Sequence, residues 1–294
     1  TKVTLPGRIE MIAEAAFHGC TALKQVDYKG LLADWFTVQI EDYNEPLDTA
    51  VIHCTDADTM GGRPESGKIG DNLKWKLSSD GTLTISGAGE MSNQIPWIND
   101  AEFRDRIQSV VIENGVTSIG KVAFGHCENL TSVSLPDSLT RINHRAFQGC
   151  TSLTEIVIPD SVTSFEDTVF AECKNLRKVK LPSKMTEIVA SMFVDCTSLE
   201  EIEIPETVTK IKDGAFSQCG LKSIDIPQNV TEIGGFAFSW CKMKSVTIPE
   251  GVTTLKTGTF LLCTELSDIT VPVSLTTVEF NTFLSLIHIS EPTR

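Results

Sequence analysis

The sequence predicts a solenoid in which short coils built from one repeated unit stack on each other. Three observations support this prediction: a cysteine recurs every 22 or 23 residues, a phenylalanine stands three residues before each of these cysteines, and a proline follows each short apolar segment. Self-similarity at a fixed period is the signature of a repeat architecture. The cysteines that keep the period are Cys127, Cys150, Cys173, Cys196, Cys219, Cys241 and Cys263.

Each unit begins with a short strand that ends at a proline. In the first complete unit, Leu130, Val133 and Leu135 occupy the apolar positions of that strand, whose alternate side chains point to opposite faces. Pro136 follows, and a residue without an N–H group cannot continue a hydrogen-bonded ladder. The chain is therefore expected to bend there. Equivalent prolines are Pro159, Pro182, Pro205, Pro227, Pro249 and Pro272.

The second half of each unit predicts another short strand and a tight turn. Leu139 and Ile142 bracket a threonine, and Ala146, Phe147 and Cys150 then have the spacing of one helical or 3₁₀ turn. A single strand or turn does not fold alone, because ordering the chain costs about 1.5 kcal/mol per residue and an isolated coil cannot bury enough apolar surface to offset this cost. A neighbouring coil supplies the missing burial, so stability is expected to be a sum of nearest-neighbour terms.

The combined pattern resembles the BspA-like (Treponema-type) leucine-rich repeats. Leu-x-x-Val-x-Leu-Pro, Val-Thr-x-Ile and Ala-Phe-x-x-Cys recur in this order, and the resemblance runs continuously from Ile107 to Phe283. It implies a leucine-rich-repeat solenoid, that is, a right-handed β/α superhelix rich in β structure with short 3₁₀ or α turns. The start of the chain repeats the same order of residues in Pro6, Ile9, Ile12, Phe17, Cys20 and Leu23.

These patterns predict two repeat blocks separated by a β-hairpin cap region. Trp35 and Phe36 are large enough to cover the open apolar edge of the first array, and Asp80-Gly81 between two alternating runs predicts the hairpin. The predicted segments are the end of a first array (1–30), its C-terminal capping strands (31–54), a linker (55–70), a hairpin with an N-terminal cap (71–106), a second array (107–284) and a non-native tail (285–294).

The tail is predicted because the repeat stops there. Leu286 stands where the next cysteine is due, and the last ten residues resemble a translated sequencing-adapter sequence, SLIHISEPTR. The chain also begins inside a repeat, so we expect it to be a fragment of a longer, metagenomic bacterial protein. A signal peptide therefore cannot be judged from this sequence.

Composition and motifs exclude several classes of function. The formal net charge of −14 argues against nucleic acid as a partner, since a phosphate-binding surface needs clustered lysine and arginine. No run of 18 apolar residues is present, which argues against membrane insertion of this segment. The common hydrolase, metalloprotease, phosphate-binding and dinucleotide motifs are missing, so we predict no enzymatic activity, no catalytic residue and no cofactor.

The periodic cysteines could be metal ligands, disulfides or core residues. No Cys-x-x-Cys pair occurs, and one cysteine per coil forms a column in which no partner is preferred. We therefore predict reduced thiols that pack as small apolar residues beside the phenylalanines, with no metal site. Cys20 is assigned to the same ladder, whereas the redox state of Cys54 stays open.

The outward side chains of the first strands form the first candidate binding surface. A basic rung lies beside an acidic one, which predicts either cross-strand ion pairs or a polar recognition strip. The basic rung contains Arg177, Lys178 and Lys180, and the acidic rung contains Glu200, Glu201 and Glu203.

A second candidate surface lies on the turn between the phenylalanine and the cysteine. Most units carry polar residues there, but Ser239-Trp240 is followed one coil later by Leu261 and Leu262. Either the shortened coils turn these apolar side chains inward, or Trp240 and Leu262 form an exposed patch for a partner.

The resemblance implies a non-enzymatic binding or adhesion module of a secreted or cell-surface bacterial protein. The expected partners are proteins, such as host matrix or other cell surfaces, and a glycan is a further option. Two alternative functions stay open: an architectural spacer, and a carbohydrate-binding protein in which sugars stack on Trp75 and Trp97. The analogy rests on the fold and is therefore weakly specific.

Overall fold

The computed structural model describes residues 1–35, 38–40, 44–47, 50–55, 58–60, 63–64, 66–70, 72–93 and 95–284. The chain divides into two compact units, Thr1–Ser79 and Asp80–Arg294. The predicted non-native tail at 285–294 and the predicted capping residue Phe36 lie outside the described residues.

The first unit consists mainly of short strands. β1, β3 and β5 pair in parallel, whereas β6 and β7 continue from β5 as antiparallel strands. β2 pairs in parallel with β4, and β8 is antiparallel to β9. The strands are β1 (Lys2–Leu5), β2 (Met11–Ile12), β3 (Gln25–Tyr28), β4 (Gln39–Ile40), β5 (Val51–His53), β6 (Asp58–Met60), β7 (Arg63–Pro64), β8 (Ser66–Ile69) and β9 (Leu73–Leu77), with helix α1 (Leu32–Trp35) and a 3₁₀ turn at Glu45–Leu47.

The core of the first unit lies under β3 and β5. Val26 and Ile52 are fully buried, and the rings of Tyr28 and Trp35 meet edge to face with their centroids 5.2 Å apart. Trp35 is therefore a core residue, as expected of a side chain that covers apolar surface. Cys20 is exposed, so its assignment to a buried cysteine ladder was wrong.

The second unit contains two strands per coil in most of its repeats. The strands are β10 (Thr82–Gly87), β11 (Gly89–Glu90), β12 (Ser109–Ile112), β13 (Val116–Ile119), β14 (Ser132–Ser134), β15 (Arg141–Ile142), β16 (Glu155–Val157), β17 (Ser164–Phe165), β18 (Lys178–Lys180), β19 (Glu187–Ile188), β20 (Lys210–Ile211), β21 (Glu232–Ile233), β22 (Ser245–Thr247), β23 (Thr254–Leu255), β24 (Asp268–Thr270) and β25 (Thr277–Val278), with helix α2 (Ala101–Asp105).

These strands pair with their equivalents in neighbouring coils, always in parallel. On the side that we call the first-strand face, defined by the strand before each proline, β10, β12 and β14 form one sheet, β16 pairs with β18, and β22 pairs with β24. The second strands form the sheets β11–β13–β15–β17, β19–β20–β21 and β23–β25. The predicted solenoid of stacked coils is therefore confirmed.

A column of stacked aromatic rings runs through the core of the second unit. Neighbouring phenylalanine rings lie nearly parallel with centroids 5.3 to 5.9 Å apart, from Phe124 to Phe283. Trp97 extends the column, because its ring stacks on Phe103 and Phe124. Its indole N–H donates to the carbonyl oxygen of Ala123 over 2.7 Å, so its polar atom is satisfied in the core.

The array cysteines hold the coils together through hydrogen bonds as well as packing. The Sγ of Cys173 donates to the carbonyl oxygen of Phe147 over 3.1 Å, and Cys196 bonds to Phe170 in the same way. The same bond to a phenylalanine carbonyl recurs at Cys150, Cys219, Cys241 and Cys263. All seven array cysteines are buried free thiols, and burial raises the pKa of Cys127 to about 12.

The coils close through hydrogen-bonded turns that contain left-handed residues. In one coil Arg145 has φ of +56° and Gly149 has φ of +70°, and the equivalent positions in the other coils are also left-handed, mostly without glycine. A continuous helical turn cannot pass through such residues, because they have the opposite hand. The described turns after the second strands therefore contain no helix.

Candidate functional site

The candidate surfaces predicted from the sequence lie within the described residues. Within the described residues, no group of three histidine, cysteine, aspartate or glutamate side chains is arranged to hold a metal ion. No helix in the described ranges is long and apolar enough to cross a membrane.

Trp240 points out of the coil on the turn before Cys241. Its side chain is 55% exposed, whereas the phenylalanines of the core column are fully buried. The backbone N–H of Trp240 donates to the carbonyl oxygen of Leu261 over 2.8 Å, which places the next coil directly beside it. Leu261 and Leu262 are half-buried. Of the two alternatives, the one in which these coils turn Trp240 inward does not hold, and the apolar side chains lie on one edge.

The left-handed backbone explains why Trp240 faces outward. Trp240 and Leu262 have φ of +62° and +57°, and they occupy equivalent positions in successive coils. This conformation directs the side chain away from the column that Phe238 and Phe260 follow. A tryptophan with φ above zero costs about 1–2 kcal/mol relative to the right-handed region. The turn tolerates this cost at a position where glycine stands in two other coils, Gly19 and Gly149.

Phe236 adds to this surface and was missed in the sequence. It is 45% exposed with φ of +56°, and it occupies the position of Gly214 and Gly258 in the neighbouring coils. Its ring covers Gly258 so closely that a Cβ atom there would lie 2.5 Å from the ring carbon Cε1. The available signal was the register: Phe238 already fills the core position, so the first phenylalanine of the Gly-Phe-Ala-Phe segment, Phe236, had to lie elsewhere.

We call the surface formed by Phe236, Trp240, Leu261 and Leu262 the turn-edge patch. It lies on adjacent turns that are joined by backbone hydrogen bonds, Phe236 to Thr257 over 3.0 Å and Trp240 to Leu261 over 2.8 Å. The backbone is thereby held in place, so the side chains are presented by an ordered edge. An exposed apolar patch of this kind is typical of a partner site.

The second surface is a groove of about 880 Å³ on the first-strand face. Four of the predicted site residues, Arg177, Lys178, Glu201 and Glu203, line it, whereas Lys180 does not. The remaining charged lining residues are Glu206 and Asp225. Two cations at one edge and four carboxylates over the rest give the groove a net negative charge.

The predicted ion pairs between the basic and acidic rungs do not form. Lys222 binds Glu200 instead, with its Nζ 2.6 Å from the carboxylate oxygen. This hydrogen bond, helped by the charge of Lys222, lowers the pKa of Glu200. Among the described residues, neither Glu201 nor Glu203 has a cation within ion-pair distance. Within the acidic rung, Glu200 is therefore the paired carboxylate, whereas Glu201 and Glu203 have no ion pair in the described part of the chain.

The carbohydrate site proposed from two tryptophans is not supported by their positions. Trp75 is 3% exposed and Trp97 is 1% exposed. A sugar can stack only on an accessible ring face, and Trp97 already stacks on Phe103 and Phe124. Both tryptophans are core residues in this structure, so neither can serve as a stacking platform.

Comparison with known proteins establishes the family. A model of the BspA type leucine rich repeat region matches residues 1–34, 97–219 and 186–293 in six copies. The chain belongs to the BspA-type leucine-rich repeat family. Members of this family are typically non-catalytic, and membership indicates a protein-interaction or adhesion module. No curated protein matches the sequence.

The chain is also similar to solved structures of bacterial leucine-rich repeat proteins. One from Bacteroides ovatus is 20% identical over 73% of this chain and 79% of its own, with a TM-score of 0.46. The Treponema pallidum protein is 24% identical over 72% and 85%, with a TM-score of 0.44. A leucine-rich cell surface protein from Faecalibacterium prausnitzii is 22% identical over 95% and 79%, with a TM-score of 0.40. The family assignment rests on the match to the model of the BspA-type repeat region, and not on these structures.

Proposed function

We propose that this BspA-type chain is a non-enzymatic adhesion module of a secreted or cell-surface bacterial protein, and that it binds protein partners such as host matrix or other cell surfaces. The observation that supports this function best is the turn-edge patch. Trp240 and Phe236 are about half exposed on one ordered turn, whereas Phe238 between them is buried in the core column.

Aromatic residues of this kind match the energetics of protein binding. Hot spots in protein interfaces are enriched in tryptophan, tyrosine and arginine, and loss of one such residue costs about 2 kcal/mol or more of binding free energy. The turn-edge patch is also already ordered before binding, because its backbone is bonded to the next coil. A partner therefore meets little additional ordering cost.

The experiment measures attachment of the purified chain to immobilised matrix proteins and to whole cells by surface plasmon resonance and adhesion counts. Trp240→Ser and Phe236→Ser should each weaken binding about thirtyfold or more if they act as hot spots. Val157→Ser is the matched control, because Val157 is 60% exposed on the first-strand face, away from the turns. It should leave binding unchanged.

Two results would contradict the proposal. Equal losses in the Trp240 and Val157 variants would mean that the turn-edge patch has no special role. No attachment of the intact chain to any protein surface would favour the architectural spacer instead. Thermal unfolding of every variant separates a loss of binding from a loss of fold.

A further inference from the structure

The apolar surface on the turns continues one coil beyond the turn-edge patch. The backbone N–H of Gly258 donates to the carbonyl oxygen of Phe280 over 3.0 Å, and that of Leu262 donates to the carbonyl oxygen of Leu284 over 3.0 Å. Phe280 is 76% exposed and Leu284 is 41% exposed. We call the turn-edge patch together with Phe280 and Leu284 the apolar strip. It spans three adjacent coils.

The apolar strip ends abruptly at the coil before Trp240. The backbone N–H of Gln218 donates to the carbonyl oxygen of Ser239 over 2.8 Å, so that coil lies directly beside the strip. Its turn presents Asp213 and Gln218, which are exposed and polar. Asp213 occupies the same position in its coil as Phe280, so this position faces outward in a coil inside the array as well. The strip is therefore a local change of surface chemistry on positions that face solvent.

No residue of the apolar strip is ionisable, and two charged groups on its turns are tied to neighbours. Lys256 lies with its Nζ 2.7 Å from the carboxylate of Glu232. The carboxylate of Glu279 accepts hydrogen bonds from the backbone N–H and the hydroxyl of Thr257, both over 2.9 Å. The whole chain has a formal net charge of −14, so two copies repel each other in most orientations. An uncharged strip is the place where two copies can approach with least opposition.

The area of the apolar strip matches what a specific dimer needs. An aromatic side chain has about 150–250 Å² of surface, so the exposed fractions of Phe236, Trp240 and Phe280 amount to about 400 Å². The leucines raise the apolar area to about 500 Å² per copy. A homodimer interface is about 65% apolar, so two such strips and their polar rim would bury about 1,500 Å² in total, which is the usual size of a specific interface.

We propose that the apolar strip binds the same strip of a second copy of this chain on another cell, around a two-fold axis that passes through the coil of Leu261. This inference rests on the proposed function, because it names the partner of the same patch. In this register the coil of Trp240 faces the coil of Phe280 in the second copy. A shift by one coil would place Phe280 against the polar coil of Asp213. A two-fold interface closes on itself, so the product is a dimer and not a filament.

Sedimentation velocity of the whole chain between about 1 and 100 µM measures this association. Reductant is present throughout, because Cys20 is an exposed thiol and could form a disulfide between copies. We expect a monomer–dimer equilibrium with a Kd on the order of 10 µM, and no larger species. Trp240→Ser should weaken the association about tenfold or more. A chain that stays monomeric at about 100 µM would overturn the inference.

A charge exchange at Leu261 tests the two-fold axis. Leu261→Arg and Leu261→Glu should each weaken self-association about tenfold or more, because like charges meet at the axis. An equimolar mixture of the two variants should return to within about threefold of the parent affinity, because opposite charges then meet. Val157→Arg and Val157→Glu are the controls, since Val157 is exposed on the first-strand face, and they should behave like the parent alone and mixed.

A mixture that does not regain affinity, or equal losses at Val157, would contradict the two-fold arrangement. Thermal unfolding checks that each variant is folded, and Trp240→Ser, at an exposed position, keeps the inference testable if a Leu261 variant unfolds. Attachment to immobilised matrix proteins separates the inference from the proposed function. Attachment without dimers overturns the inference alone, whereas dimers without attachment support it and contradict binding to matrix.

Discussion

Replacement of Phe193 by alanine tests whether the aromatic column is the main source of cohesion between coils. Phe193 is fully buried in the middle of the array. Its ring stacks on Phe170 at 5.7 Å and on Phe216 at 5.5 Å, so the substitution removes two ring contacts and leaves a cavity between two coils.

The expected loss follows from these contacts. Truncation of a buried phenylalanine to alanine costs about 3–5 kcal/mol, which includes the cavity that remains. Each aromatic pair contributes about 0.5–1.5 kcal/mol beyond its buried area. Because Phe193 has two such pairs, we expect a loss of about 4 kcal/mol. Phe193→Leu keeps most of the apolar volume and should lose only about 1–2 kcal/mol, mainly the stacking contribution.

Urea unfolding followed by far-ultraviolet circular dichroism measures these losses. A solenoid is stabilised by nearest-neighbour interfaces, so we expect the mid-array variant to unfold in more than one step, with the lower transition in the coils around the substitution. Phe236→Ala is the control, because Phe236 is 45% exposed and lies outside the column; it should cost less than about 1 kcal/mol. A loss below about 1 kcal/mol for Phe193→Ala would refute the idea that the column holds the coils together.

Two further predictions concern the thiols and the turns. Burial raises the pKa of Cys127 to about 12 and that of Cys263 to about 11, so the folded state keeps protons that the unfolded thiols lose. Stability should be unaffected by Cys127 and Cys263 below about pH 8.5, and should fall by up to about 1.4 kcal/mol per pH unit for each of them between that pH and its folded-state pKa; urea midpoints measured across that range check this, and a Cys127→Ala variant with the same alkaline loss would contradict it. At the turns, Gln218 has φ of +60° without being glycine, so Gln218→Gly should stabilise the fold by about 0.5–1 kcal/mol. Gln228→Gly, at an exposed position without positive φ, should destabilise it in the same thermal or urea assay, and a matching gain at both sites would rule out backbone strain as the cause.

Much of the architecture follows from the repeat alone. The period makes residues equivalent, and equivalent residues in stacked coils must form columns. The phenylalanine column and the buried array cysteines were predicted in this way. The threonines between the two apolar residues of the second strand also form a column: the hydroxyl of Thr140 donates to the carbonyl oxygen of Thr117 over 3.0 Å, and the backbone N–H of Thr140 donates to the same oxygen over 2.9 Å.

Other features appear only when the coils are placed in space. The sequence cannot show that Trp97 belongs to the phenylalanine column, because it lies outside the period and reaches the column through the packing of α2. Nor does it show that each array thiol from Cys150 onward bonds a carbonyl oxygen one coil earlier. Those contacts join residues about one period apart, and their distances depend on how closely two coils approach.

The two candidate surfaces were likewise predicted from the sequence only in part. Repeat register singled out Trp240, Leu262 and the charged rungs as departures from the pattern, since a departure is visible by comparison with neighbouring units. It could not decide whether Trp240 faces inward or outward, which depends on a left-handed backbone. It also could not predict that Lys222 would bind Glu200 and leave Glu201 unpaired. The sequence thus determined the order of the strands and turns and the columns of equivalent residues in this solenoid. Tertiary packing alone decided which strand edges pair, because pairing depends on the spacing between coils, which no single repeat contains.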